Sequence, residues 1–221
     1  MSGTPHGLSR IQSALLQPLL PALVLLMSIM LSGCISKPAP TTVYALEPLA
    51  TSSPVISKGI TLPGMIMVMP VRLPPHLRQK SIVVEEAGAG PKMLAGHLWA
   101  GPLDEQISAN LVASLQTLLA SPNVALYPGP RYSRAMYQVE TEIIRFSGDS
   151  RTFTLRAVTT ISDPNERRML SRTAFTETFP IEGEGYSAYV AAASKVLAHL
   201  SADIAAALTD LLKPASGTNN S

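Results

Sequence analysis

The apolar positions of this chain fall into three kinds of run, and each implies a different element. The first is nearly unbroken and occupies residues 19–31 (LLPALVLLMSIML). The second recurs at intervals of three and four, through Leu103, Ile107, Leu111, Leu115 and Leu118, which is one stripe of a helix turned toward a core. The third alternates. Phe153, Leu155, Ala157, Thr159 and Ile161 interleave with Thr152, Thr154, Arg156, Val158 and Thr160, the period of two of a strand with one buried face.

Followed along the chain, the pattern predicts six strands and two helices. Residues 65–71 and 81–84 are short apolar runs bounded by Pro and Gly, suited to buried strands. Between them Leu73-Pro74-Pro75-His76-Leu77 must be a rigid connection, because two prolines remove donors and fix φ. A short extended piece around Val43-Tyr44-Ala45-Leu46 is placed to dock on the domain. The first helix begins near Pro102, where Asp104 and Glu105 complement the positive end of the helix dipole, and stops at Ser121-Pro122-Asn123. A brief strand at 124–127 precedes a meander of three long ones, 136–146, 152–161 and 170–179. Ser147-Gly148-Asp149-Ser150 and Asp163-Pro164-Asn165-Glu166 carry turn residues, so these strands pair as hairpins. Within 136–146 the buried face switches at Ile144 and Phe146, as a bulge or a doubly covered end would require. The final helix, 186–212, carries Tyr189, Ala193, Val196, Leu200 and Ile204 on one stripe. Strands paired locally and then covered by helices give a two-layer α+β domain. The expected architecture is a mixed, mainly antiparallel sheet of about six strands with both helices on one face.

The opening apolar run is about 13 residues long, below the roughly 20 that span a bilayer as a helix. It follows a single fixed positive side chain, Arg10, and ends in Leu31-Ser32-Gly33-Cys34. A positive start, a short apolar core and small residues at the cut are the parts of an export signal. The last four residues resemble the bacterial lipobox, in which the cysteine thiol takes diacylglycerol. Cys34 is the only cysteine, so no internal disulfide is available, and an exported chain seldom leaves a thiol exposed to oxidation. The competing reading is a small buried cysteine after a chance apolar run. Bacterial lipoproteins held in the inner membrane usually carry aspartate directly after the cysteine. Ile35 stands there, so the resemblance points to the outer membrane, facing the periplasm.

This divides the chain into a leader (1–33), a lipidated Cys34 with a Pro-rich tether (34–62), one folded domain (63–213) and a small polar tail (214–221). The mature body is expected to hold no second apolar span, leaving the lipid as the whole membrane-binding device. The formal net charge is +2 and no basic block interleaves with aromatics, so nucleic-acid binding has no electrostatic footprint.

Catalytic chemistry is sparse. There is no Gly-x-Ser-x-Gly turn, no His-Glu-x-x-His, no glycine-rich phosphate loop and no paired-cysteine knuckle. His76, His97 and His199 are not at ligand spacing from one another, so no metal and no cofactor is expected and the chain is read as non-enzymatic. A hydrolase would need one of these histidines beside an acidic partner and a nucleophile. Trp99, the only tryptophan, stands just before a helix. It serves either as a hydrophobic staple against Leu103 or Ile107 or as a binding hot spot.

An ordered set of segments carries a family resemblance. The lipobox is followed by Thr42-Val43-Tyr44-Ala45-Leu46, by Val68-Met69-Pro70-Val71-Arg72-Leu73-Pro74-Pro75-His76-Leu77, by Ile82-Val83-Val84, by Trp99-Ala100-Gly101-Pro102-Leu103-Asp104, and by Tyr137-Gln138-Val139 through Arg145-Phe146. Together they resemble the ABC-type transport auxiliary lipoproteins, which include the PqiC-like (paraquat-inducible protein C) lipoproteins. The resemblance implies a non-catalytic outer-membrane subunit of an intermembrane lipid-transport system. Its implied partners are an MCE-type periplasmic protein and the associated inner-membrane permease, and a homo-oligomer is compatible with it. Trp99, Leu73, Pro74, Pro75 and His76 are the partner-binding residues it points to. The family's aspartate-arginine-proline stretch is replaced here by Arg78-Gln79-Lys80-Ser81, and its arginine before the tryptophan by Leu98. The alternative is a periplasmic lipoprotein that binds a solute or lipid in a pocket of its own.

Overall fold

A computed structural model describes residues 40–48, 62, 64–86, 90–130 and 134–213. The leader, the lipobox with Cys34, most of the tether and the tail lie outside the described residues. Eight strands and two helices follow one another as β1 (Thr42–Tyr44), β2 (Met65–Val68), β3 (Ser81–Glu86), β4 (Gly90–Trp99), α1 (Leu103–Leu118), β5 (Val124–Leu126), β6 (Ala135–Gly148), β7 (Thr152–Asp163), β8 (Arg168–Pro180) and α2 (Gly185–Leu212).

The strands form two sheets, where one of about six strands was expected. The larger has the order β5-β2-β6-β7-β8 and the smaller β1-β4-β3. Local hairpins make β6, β7 and β8 antiparallel, whereas β2 lies parallel to both β5 and β6. The sheet is therefore mixed, and the fold is α+β as expected. The additional strands are β1, the docked piece after the lipobox, and β4. β1 runs parallel to β4, pairing Thr42 with His97 and Tyr44 with Trp99.

The alternation in β7 is realised: Phe153, Leu155, Ala157 and Ile161 are buried. The expected break in β6 is a register shift between Ile143 and Arg145, after which Phe146 and Ser147 are both buried. β2 stops three residues short of the expected strand because Pro70 has no N–H to give the ladder. The backbone still follows β6, with Arg72 N donating to Thr141 O at 3.0 Å and Ile143 N to Arg72 O at 2.9 Å.

α1 buries Leu103, Ile107, Leu111, Leu115 and Leu118, and each such side chain contributes roughly 1.5–3 kcal/mol when fully removed from water. α2 buries Tyr189, Ala193, Val196, Leu200, Ile204 and Leu208, and both helices join the larger sheet in one core. One expectation needs correction. By length and composition α2 is apolar enough to cross a membrane, so the body does contain a second apolar stretch. Half of that stretch is buried inside the domain, as in the core helix of a folded body.

Candidate functional site

Two regions gather the residues singled out in the sequence: the double-proline turn, and the seam where the two sheets meet. At the turn, Pro75–Leu77 is a single 3-10 turn. Leu77 N donates to Pro74 O at 3.0 Å and Arg78 N to Pro75 O at 3.2 Å. Leu73 and Leu77 are buried and peg both ends into the core. Between them Pro75 and His76 are exposed and Pro74 is half-buried. Two of the residues that replace the family's charged stretch brace this knuckle at the surface: Arg78 Nε donates to Leu73 O at 3.1 Å and Gln79 Nε2 to His76 O at 3.3 Å. The result is a hydrogen-bonded proline turn whose exposed side chains include Pro75 and His76, with Arg78 and Gln79 beside them.

Trp99 lies apart from that surface. It is 6% exposed, in the same core as Leu103 and Ile107. Its backbone N–H donates to Lys80 O at 2.8 Å, and its ring centroid is 6.4 Å from that of Phe146. The contact continues edge-on to Phe153 at 4.8 Å and then to Tyr189 at 5.0 Å. This aromatic chain runs from the smaller sheet through the larger one to α2. Of the five residues the resemblance singled out, the structure thus exposes Pro75 and His76 and buries Leu73 and Trp99.

Polar groups close the same seam. Glu85 on β3 pairs with Arg145 on β6 and accepts a hydrogen bond from Ser147 Oγ at 2.6 Å. The Tyr189 hydroxyl accepts from Gly148 N–H at 2.9 Å and donates to Val83 O at 2.8 Å. Burial pushes its ionisation well above the ordinary phenol range, so it stays a neutral, fully used hydrogen-bonding group. On the far side Tyr44 and Tyr186 hold His97, with Tyr44 Oη 3.0 Å from His97 Nδ1 and the Tyr186 ring centroid 4.1 Å from the imidazole.

Beside this seam opens a cleft of about 720 Å³ lined by Glu85, Glu86, Lys92, Arg151, Tyr186 and Tyr189 among others. Its charges are partly neutralised in place, Lys92 by Glu86 at 3.0 Å. Among the described residues no group of three His, Cys, Asp or Glu is placed to hold a metal. One histidine does meet a carboxylate: His199 Nδ1 lies 3.0 Å from Glu177 Oε2. The other contact of that imidazole is the edge of Phe179, with centroids at 4.7 Å. A base–acid pair hydrolyses nothing without a nucleophile in reach, and neither contact supplies one.

The sequence model of the family described as "ABC-type transport auxiliary lipoprotein component" matches residues 44–205. No curated protein sequence matches the chain. Among solved structures the chain is similar to a protein of Xanthomonas campestris at 18% identity and a TM-score of 0.64, covering 78% of this chain and 96% of that one. It is also similar to an uncharacterized protein at 20% identity and a TM-score of 0.63, covering 77% and 99%. These likenesses establish a shared fold, and the family match reaches from the end of β1 into α2. The chain belongs to the ABC-type transport auxiliary lipoprotein family.

Proposed function

We propose that this protein is a non-catalytic adaptor on the outer membrane, anchored through lipid on Cys34 and facing the periplasm. There it serves an MCE-type intermembrane lipid-transport system. The observation that carries the reading is the family match over 44–205 behind a lipobox whose following residue is Ile35. Several acyl chains on one cysteine make attachment effectively stable, since each buried methylene adds about 0.8 kcal/mol. The partners are an MCE protein reaching across the periplasm and the permease beneath it. The Pro75–His76 knuckle is the proposed contact. Its rigidity means that little conformational freedom is lost on docking.

A photo-crosslinker at position 76 in intact envelopes is expected to capture the MCE protein, whereas one at Thr178 on β8 is not. Capture at neither position, with the lipoprotein itself recovered, would count decisively against this partner.

A further inference from the structure

The strand that follows the lipobox is fixed to the body at several points. Tyr44 O accepts from Ala100 N at 2.7 Å, Leu46 N donates to Gln106 Oε1 on α1 at 3.1 Å, and Glu47 N to Ser194 Oγ on α2 at 3.1 Å. Leu46 is itself buried in the core. β1 is therefore part of the body, and Cys34 stands only eight residues before its first residue, Thr42. A fully extended chain spans at most about 3.3–3.6 Å per residue, so a lipid on Cys34 holds β1 within roughly 26–29 Å of itself. Were the chain free as far as Leu62, the limit would be roughly 92–101 Å. The docking of β1 thus fixes which side of the body is kept near the lipid.

That side carries an apolar face. β1 is an edge of the smaller sheet, and Val43, Leu98 and Ser81 are in register across its three strands, so their side chains share one face. Leu94 and Trp99 are both buried although five residues apart, which the bulge at Gly96 permits. Met93 and Leu98, each one residue earlier, consequently share the opposite, outer face. Val43 is 58% and Met93 56% exposed, and Leu98 is half-buried. The one charged side chain of β4, Lys92, turns instead into the cleft with Glu86. Exposed apolar side chains on a face that the chain keeps near a lipid fit a bilayer surface.

We infer that the outer face of the smaller sheet, through Val43, Leu98 and Met93, rests on the bilayer that receives the lipid of Cys34. The inference rests on the proposed anchor and adds a second, protein-borne contact to it. Once the lipid is inserted, this contact is intramolecular, so a patch too small to hold the free protein is occupied at the high local concentration that the short connection imposes. The test supplies the anchor chemically, so that a failure of docking is distinct from a failure of lipidation in the cell. The mature chain is coupled through Cys34, its only thiol, to maleimide-headgroup lipid in vesicles of phosphatidylethanolamine and phosphatidylglycerol that also carry dibrominated phosphatidylcholine. Val43→Trp, Met93→Trp and, on the far edge strand β8, Thr178→Trp are each read in a Trp99→Phe background. Emission at positions 43 and 93 is expected to fall about twofold or more, as for an indole roughly 5–10 Å into the lipid boundary, and emission at 178 to stay unchanged. Should Trp99→Phe misfold, the same substitutions are read above the wild-type emission, because Trp99 is 6% exposed in the core and contributes a constant background. Quenching at 43 without 93 would show the short connection alone and overturn the docked face. Quenching at 178 equal to that at 43 and 93, or at none of the three positions with the protein retained on the vesicles, would overturn it equally.

Discussion

At the scale of single residues, Gly148 is the position with least room for change. A Cβ there would lie 2.1 Å from Thr152 O and 2.7 Å from the Phe153 Cα, both backbone, so no rotamer change relieves it. The N–H of the same residue is the donor to the Tyr189 hydroxyl. Gly148→Ala is therefore expected to shift the β6–β7 turn and destabilise the fold by about 2–4 kcal/mol, in the range of overpacked or strained core sites, as read by urea denaturation. Next to it Asp149 accepts backbone N–H bonds from Arg151 at 2.7 Å and Thr152 at 2.8 Å, and these hold its carboxyl below the ordinary carboxylate range. A lowered folded-state value means that its contribution is complete above the unfolded pKa of about 3.9 and is lost as pH falls through the folded one. The amide signals of Arg151 and Thr152 should hold their positions down to about pH 4 and move only below it. Sequence marked this turn through its Ser-Gly-Asp-Ser composition. It gave no hint of Glu85 meeting Arg145 and Ser147, since those partners are 60 and 62 residues away along the chain and nothing in local spacing encodes such a meeting.

At the scale of elements, legibility followed periodicity. The three meander strands and both helices stand within about two residues of where alternation and the three–four stripe put them, the ordinary uncertainty of element ends. β4 did not register. Its pattern is broken by Gly90, Pro91 and Gly96, and Gly96 sits at φ 78° where β3 and β4 change register between Ser81 and Val83, a bulge only glycine enters without strain. β1 is three residues long, too short for a period to declare itself. α1 packs against both α2 and the larger sheet, so its stripe is a direct test of the assigned core. Leu111, fully buried, should cost about 2–5 kcal/mol on substitution by alanine, seen as a lowered midpoint in thermal or urea unfolding. If Leu111→Ala unfolds at the wild-type midpoint, the assigned stripe is wrong.

At the scale of the whole molecule, the proposed reading joins a start that resembles an export and lipidation signal to a body of the transport auxiliary lipoprotein family. The membrane expectation is the simplest to check. Radiolabelled palmitate should enter the wild-type chain and not Cys34→Ala, and labelled protein should fractionate with the outer membrane. Label persisting in the variant would remove the anchor from the account. The family was legible as an ordered set of weakly specific segments. Of the residues proposed to meet a partner, Pro75 and His76 are exposed, whereas Leu73 and Trp99 are buried. Tryptophan before a helix reads the same in sequence whether it faces solvent or a phenylalanine in another strand.

That last residue has an optical consequence. Trp99 is the only tryptophan, and it sits where the smaller sheet leans on Phe146 of the larger. Excitation at the red edge of protein absorption therefore addresses one indole at one place, with no averaging over other sites. In the resting molecule its emission should be blue-shifted and poorly quenched by iodide. Any partner that pries the two sheets apart would turn it red and quenchable, whereas a partner that only touches the Pro75–His76 knuckle would leave the spectrum unchanged.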